Sequence, residues 1–191
     1  DSVERLAKQL GDIRVFQCDI TSDSEIDGLF DSIKKEYGIL HGVVHGIAHA
    51  KTEDIQNSFV NTSRDGFLHA LNISAYSLVA VSRKASEIMD DGGSIVTLTY
   101  MGSEKVFPGY NVMGVAKAAL ETSMKYLAHD LGSKGIRINA ISAGPVKTVS
   151  SKAIKDFGGI LEVFEKKAPL KHSLDPEGLG DTGIYLLSSL S

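Results

Sequence analysis

The chain has 191 residues, 42% of them hydrophobic and 23% charged, which suits a single domain large enough to bury a real core. A formal charge of −4 without Lys/Arg clusters argues against nucleic acid or an anionic membrane as principal partner, and the one cysteine, Cys18, excludes an intrachain disulfide and fits a reducing compartment. No apolar run approaches the ~18 residues needed to span a bilayer, and the charged opening DSVERLAKQLG is not a signal peptide, so a soluble, cytoplasmic protein is expected.

Taken in chain order, the pattern alternates. VERLAKQLG (3–11) reads as the end of an amphipathic helix stopped by Gly11. DIRVFQCDI (12–20) reads as a strand, and TSDSEIDGLFDSIKKEYG (21–38) as a helix capped by Ser22 or Asp23. ILHGVVHGIA (39–48) is a short apolar strand, and RDGFLHALNISAYSLVAVSRKASEIM (64–89) carries apolar residues at helical spacing before the turn DDGG. SIVTLTY (94–100) is a strand, NVMGVAKAALETSMKYLAHDLG (111–132) a long helix, and IRINAIS (136–142) another strand. In SLDPEGLGDTGIYLLSSL (173–190), Asp175 is placed as N-cap and Pro176 at the first helical position. Continuous apolar strands alternating with helices predict an α/β fold, a doubly wound parallel sheet of Rossmann type. In such sheets ligands bind beyond the carboxyl ends of the strands, here CDI (18–20), HGIAHA (45–50), TLTY (97–100) and SAGPVKT (142–148).

Three constellations lie at those ends. Tyr110 and Lys117 are seven positions apart, about 10.5 Å along a helix and ~20° short of two turns, so their side chains share a face. A lysine there can hold a ribose or phosphate, and a phenol can donate to an oxygen that becomes negative. Equally, Tyr110 could close the core and Lys117 be solvated; the spacing alone is unspecific. The corner SAGPVKT exposes backbone donors and the Thr148 hydroxyl, which could clamp a carboxamide and a phosphate, or be an ordinary strand-to-helix turn. Asp19 could accept from an adenine amino group or a ribose hydroxyl, or cap the next helix.

Other chemistry is disfavoured. His41, His45 and His49 recur every four residues but fall on a strand-like stretch without the Glu of H-E-x-x-H, so no metal is expected. Cys18 reads as a small buried residue. Ser103 and Ser142 lack the G-x-S-x-G elbow of a serine hydrolase.

Together and in this order, Tyr110-Asn-Val-Met-Gly-Val-Ala-Lys117 with Tyr100 ten residues earlier, IRINAISAGPVKT, and AIKDF after it resemble the short-chain dehydrogenase/reductase superfamily. Within it the chain resembles the bacterial enoyl-(acyl-carrier-protein) reductases, the Tyr-x6-Lys type, over nearly its whole length. VHGIAHA takes the place where ordinary members show Asn-Asn-Ala-Gly. The resemblance implies NADH- or NADPH-dependent reduction of the 2,3-double bond of trans-2-enoyl thioesters on acyl-carrier protein, in bacterial type II fatty-acid synthesis, by a homotetramer. It implies Tyr110 as the catalytic tyrosine, Lys117 on the nicotinamide ribose hydroxyls, and Tyr100 lining the substrate side. Asp19 and Ile20 would flank adenine, and Gly46, Ile47 and Ala48 the ribose side. Ala143, Gly144, Pro145, Val146 and Thr148 would hold the nicotinamide amide and pyrophosphate. Ala50, Ile55, Tyr100, Tyr110, Met113, Val149, Ile154 and Phe157 would form the acyl pocket, and 149–170 a mobile substrate loop with its helices, Val149 to Phe157 being displaced without ligand.

Against the family pattern, the chain begins after the strand and glycine-rich turn that seat the pyrophosphate and ends before the last strand. The first strand and helix and the last strand are therefore expected to be missing. Two other readings stay open on the residues. One is a carbonyl (3-ketoacyl) reductase of the same superfamily, against which the absent Tyr-x3-Lys counts; the other is a truncated, cofactor-poor binding or assembly module.

Overall fold

A computed structural model describes residues 2–11, 13–148 and 157–191. Its centre is a sheet of three parallel strands, β1 (Gly42–His45), β2 (Gly93–Thr99) and β3 (Ile136–Ser142), in the order β1-β2-β3. Val43 lies opposite Ile95, and Ile95 opposite Ile138, so β-branched side chains from all three strands line up across one layer. Ser94 through Thr97 are wholly buried, as expected of a central strand covered on both faces.

The strand period of two decides what each face meets. Ile95 points to the face covered by α2 (Asp23–Tyr37), α5 (Ser77–Ala85) and α6 (Asn111–Leu131), where it packs with Ile26, Phe30, Leu78, Val81 and Leu120. Leu78 and Leu120 are fully buried, each contributing about 1.5–3 kcal/mol from the apolar surface removed from water. Ser94 points the other way, to α8 (Pro176–Leu187), and donates to the Leu186 carbonyl at 2.7 Å. Arg137 reinforces that layer, its guanidinium donating to the carbonyls of Leu186 (3.0 Å) and Ser188 (2.7 Å). Helices on both faces of a parallel sheet make this the expected doubly wound α/β fold of Rossmann type.

Local signals account for the helix ends. Ser22 caps α2 by accepting from the Glu25 N–H, with Asp23 and Glu25 in the first turn and Lys34 and Lys35 in the last. Asp175 caps α8 by accepting from the Glu177 N–H at 3.1 Å, with Pro176 next. The shorter helices are α1 (Ser2–Gln9), α3 (Thr52–Gln56), α4 (Arg64–Leu71) and α7 (Phe157–Lys167). Among the described residues no helix is long and apolar enough to cross a membrane.

Three elements differ from the sequence expectation. The strand expected over 12–20 does not form: residues 13–19 run without sheet pairing, Ile13 and Val15 are exposed, and the Ile13 N–H returns to the Ala7 carbonyl. Backbone pairing makes a strand, and among the described residues no strand lies beside this stretch. The strand expected over 39–48 is four residues long. The helix expected over 64–89 is α4 and α5 joined through a π-turn, Asn72–Tyr76. The extra residue in that turn re-aims the side chains that follow it.

Candidate active site

The three parallel strands point their carboxyl ends the same way, so Gly46, Tyr100 and Ala143 leave the sheet on one side. Tyr110 lies on this side, immediately before α6. Its ring is buried and meets the Tyr100 ring edge-on, centroids 5.1 Å apart, while Tyr100 also packs against Phe107 at 5.1 Å. Glycines make this fit possible. A Cβ on Gly102 would come within 2.4 Å of the Tyr110 ring, and one on Gly114 within 2.7 Å of the Gly102 carbonyl oxygen. Asn111, the first residue of α6, has φ +41°, a left-handed conformation that asparagine tolerates. Its side-chain amide donates to the carbonyls of Ile55 (2.8 Å) and Asn57 (2.5 Å), tying α3 to the start of α6.

Lys117 lies two turns into α6 and is buried, with Nζ donating to the Leu98 carbonyl at the end of β2, 2.8 Å away. An ammonium has three N–H donors, so this bond uses one and leaves two. Burial lowers the Lys117 pKa to about 8, with Glu121 acting in the opposite sense. Burial also raises the pKa of Tyr110, helped by Tyr100 and Glu121, and raises that of Tyr100. At neutral pH the site therefore presents two protonated phenols and a largely charged ammonium: donors for an oxygen gaining negative charge.

Beside Lys117, His45 at the end of β1 is enclosed. One ring nitrogen lies 3.0 Å from Thr97 Oγ1 and the other 2.8 Å from Ser77 Oγ. Burial, and then the Lys117 charge, lower its pKa to about 4, so it is neutral near pH 7. The π-turn explains the partner: it brings Ser74 and Ser77 to the end of β1, where Ser74 accepts from the His49 N–H at 2.9 Å and donates to the His49 carbonyl at 3.0 Å. The three histidines of the i, i+4 series diverge. His41 is exposed, His45 is enclosed, and His49 Nδ1 pairs with His69 Nε2 at 2.8 Å. Among the described residues no three His, Cys, Asp or Glu side chains come together as a metal site.

Ala50, Ile55, Tyr110 and Met113 form one buried cluster with Val112 and Ala116, and Tyr100 packs against it. Five of the eight residues expected to form an acyl pocket thus meet. Phe157, half-buried at the start of α7, is not in that cluster, and Val149 and Ile154 lie outside the described residues. Gly46 and Ala48 are exposed and Ile47 half-buried after β1; Ala143, Gly144 and Val146 are half-buried, Pro145 buried and Thr148 exposed after β3. A Cβ on Gly144 would fall 2.3 Å from Leu174 Cδ1 and 3.1 Å from the Phe164 ring, so a side chain there would have to displace Leu174. Asp19 accepts from the N–H and hydroxyl of Thr21 at 2.8 and 2.7 Å, an arrangement that shapes the entry to α2 and lowers its pKa. Ile20 packs against the main core, and Cys18 is half-buried there rather than enclosed.

Known proteins resemble this chain in both sequence and fold. Residues 1–191 match the family described as enoyl-(acyl carrier protein) reductase. The chain belongs to that family. It is 51% identical to the enoyl-(acyl-carrier-protein) reductase (NADH) FabI of Bacillus cereus, covering all of this chain and 77% of that protein. It is 49% identical to the enoyl-(acyl-carrier-protein) reductase (NADPH) FabI of Staphylococcus aureus, covering 99% of this chain and 75% of that one. The crystal structure of the Bacillus cereus enoyl-acyl carrier protein reductase with NADP+ and an indole naphthyridinone superposes with a TM-score of 0.95 at 52% identity, over all of this chain and 76% of that one. His45, Asn111, Thr99 and Glu121 lie beside the candidate residues, and sequence reading gave none of them a place in the site. Only Glu121 left a signal, one turn beyond Lys117 on the same helical face.

Proposed function

We propose that this chain reduces the 2,3-double bond of trans-2-enoyl thioesters carried on acyl-carrier protein, with NADH or NADPH as reductant, in bacterial type II fatty-acid synthesis. One observation carries the reading: the Tyr100–Tyr110 ring pair and the part-satisfied Lys117 ammonium lie together at the carboxyl end of the sheet in a member of this family. The residues fit a dinucleotide at Lys117, since an ammonium with two donors to spare is suited to ribose hydroxyls. When bound, the nicotinamide supplies a hydride.

The roles of the residues follow from their chemistry. Tyr110 donates a hydrogen bond to the thioester oxygen as that oxygen takes on enolate charge, and its raised pKa keeps the donor proton in place. Lys117 holds the ribose hydroxyls, anchored through Leu98. Tyr100 closes the substrate side against Tyr110, with Ala50, Ile55 and Met113 as the apolar wall. The α-carbon takes its proton from solvent afterwards. Asp19, Ile20, Gly46, Ile47, Ala48 and the run Ala143–Pro145, Val146 and Thr148 are proposed for the dinucleotide, and Phe157 for the acyl chain. A cytoplasmic location and a homotetramer through α5 and α6 belong to the same proposal. Supporting the latter, these helices carry an exposed Tyr126 and a concavity of about 430 Å³ lined by Val79, Ala119, Thr122, Ser123 and Leu127.

A comparison of crotonyl and acetoacetyl thioesters tests the reaction, with oxidation of NADH and of NADPH followed for each. Faster oxidation with the enoyl substrate is expected. Faster oxidation with the keto substrate would assign a carbonyl reductase instead.

A further inference from the structure

Lys117 raises a physical problem that the proposed chemistry leaves open. A lysine side chain only 7% exposed, with one neutral carbonyl as its protein acceptor, loses most of its hydration without a full return in hydrogen bonds. Burial therefore favours its neutral form. The groups around it offer little countercharge: His45 from β1 is neutral, and Tyr100 from the end of β2 and Tyr110 ahead of α6 are protonated phenols. Glu121 is the exception. It lies four residues after Lys117 in α6, on the same helical face, and is half-buried. Its position is fixed from outside the helix. Thr99 Oγ1 donates to Glu121 Oε1 at 2.5 Å, and Thr99 is the residue after Leu98, whose carbonyl accepts from Lys117. Two consecutive residues of β2 thus hold the ammonium and the carboxylate that opposes its burial.

We propose that Glu121 is a positioning residue for Lys117: clamped to β2 by Thr99, its carboxylate keeps the ammonium charged and directed at the cofactor ribose. This rests on the reading of Lys117 given above. Electrostatics agree with the geometry, for Glu121 raises the pKa of Lys117 against desolvation and also raises that of Tyr110. One carboxylate thereby favours the protonated form of both donors. Thr99 makes the arrangement directional: without its hydroxyl the carboxylate is free to turn to solvent, where its field is screened.

The test titrates Lys117 directly. Protein labelled with ¹³C at lysine Cε is followed by NMR over pH, the Lys117 signal being assigned by its loss in Lys117→Met, and the pH profile of kcat/KM for the nicotinamide cofactor is measured in parallel. Removing an opposing charge lowers a lysine pKa, so Glu121→Gln is expected to move the titration midpoint and the basic limb of the profile down by about 1 pH unit. Glu121→Asp should recover part of the shift, and Thr99→Val should show a smaller shift in the same direction. If Glu121→Gln fails to fold, as judged by circular dichroism, Thr99→Val carries the comparison. Superimposable titrations overturn the assignment, as does an activity loss uniform across pH, which marks a structural role alone. A shifted titration in a protein that leaves enoyl thioesters unreduced sustains the assignment of Glu121 while overturning the proposed reaction.

Discussion

His45 and Lys117 show how burial next to the site shapes the whole protein's response to pH. The folded pKa of His45, about 4, lies below the ordinary 6.5, so the unfolded chain binds the extra proton first as pH falls. Stability is complete above pH 6.5 and declines between 6.5 and 4, by about 3 kcal/mol for this group. His45→Gln should flatten that part of the acid unfolding curve, measured by urea midpoints across pH; an unchanged slope would mean that other groups govern it. Lys117 behaves in the alkaline range. Its folded pKa of about 8 lies below 10.5, so the unfolded chain again binds more protons between the two values, and stability rises with pH there. At neutral pH the buried ammonium costs about 3 kcal/mol, less what the Leu98 bond returns. Lys117→Met should therefore raise the melting temperature at pH 7 and abolish the alkaline rise, even as it removes the proposed ribose contact. A lower melting temperature would show the ammonium to be a net structural asset.

Among the elements, α6 and the turn before it carry the geometry. Tyr110 reaches its place because Gly102 and Gly114 let the Met101–Ser103 turn lie against the helix, and because Asn111 accepts a left-handed backbone. Adding a Cβ at Gly114 confronts the Gly102 carbonyl at 2.7 Å, a backbone obstacle that a side-chain rotation cannot relieve. Gly114→Ala is expected to cost about 1–3 kcal/mol of stability by overpacking and to move the Tyr110 ring. Thermal melting and kcat measured together check this: both should fall, and a fall in neither would mean that the turn shifts freely. The π-turn between α4 and α5 has a comparable role, supplying Ser77 to His45 and Ser74 to the His49 backbone.

For the molecule as a whole, the alternation of apolar strands with helices made the doubly wound architecture legible, and the motif around Tyr110 and Lys117 pointed to the candidate site proposed above. Both rest on local patterns: the β-rich run SIVTLTY, helical period in the segment after Tyr110, and caps such as Ser22 and Asp175. What escaped depends on partners distant in sequence. The stretch 13–19 has the composition of a strand but forms one only where a neighbour pairs with it. His45 resembled its incidental neighbours until Thr97 and Ser77, 52 and 32 positions away, closed around it. Thr99 and Glu121 are 22 residues apart and acquire meaning only when α6 packs on β2. The proposed association would follow the same rule, since the exposed Tyr126 on α6 would be covered only by another copy. Sedimentation equilibrium should give a species four times the chain mass, and Tyr126→Glu should dissociate it; a monomer before substitution would contradict the proposed assembly.

The central claim is that Tyr110 donates to the substrate oxygen during enoyl reduction, and turnover of Tyr110→Phe with a crotonyl thioester tests it most directly. Loss of one such donor is worth about 100-fold or more in kcat. The account predicts a fall of that order with the melting temperature and cofactor affinity preserved. Turnover equal to that of the unsubstituted protein would contradict it.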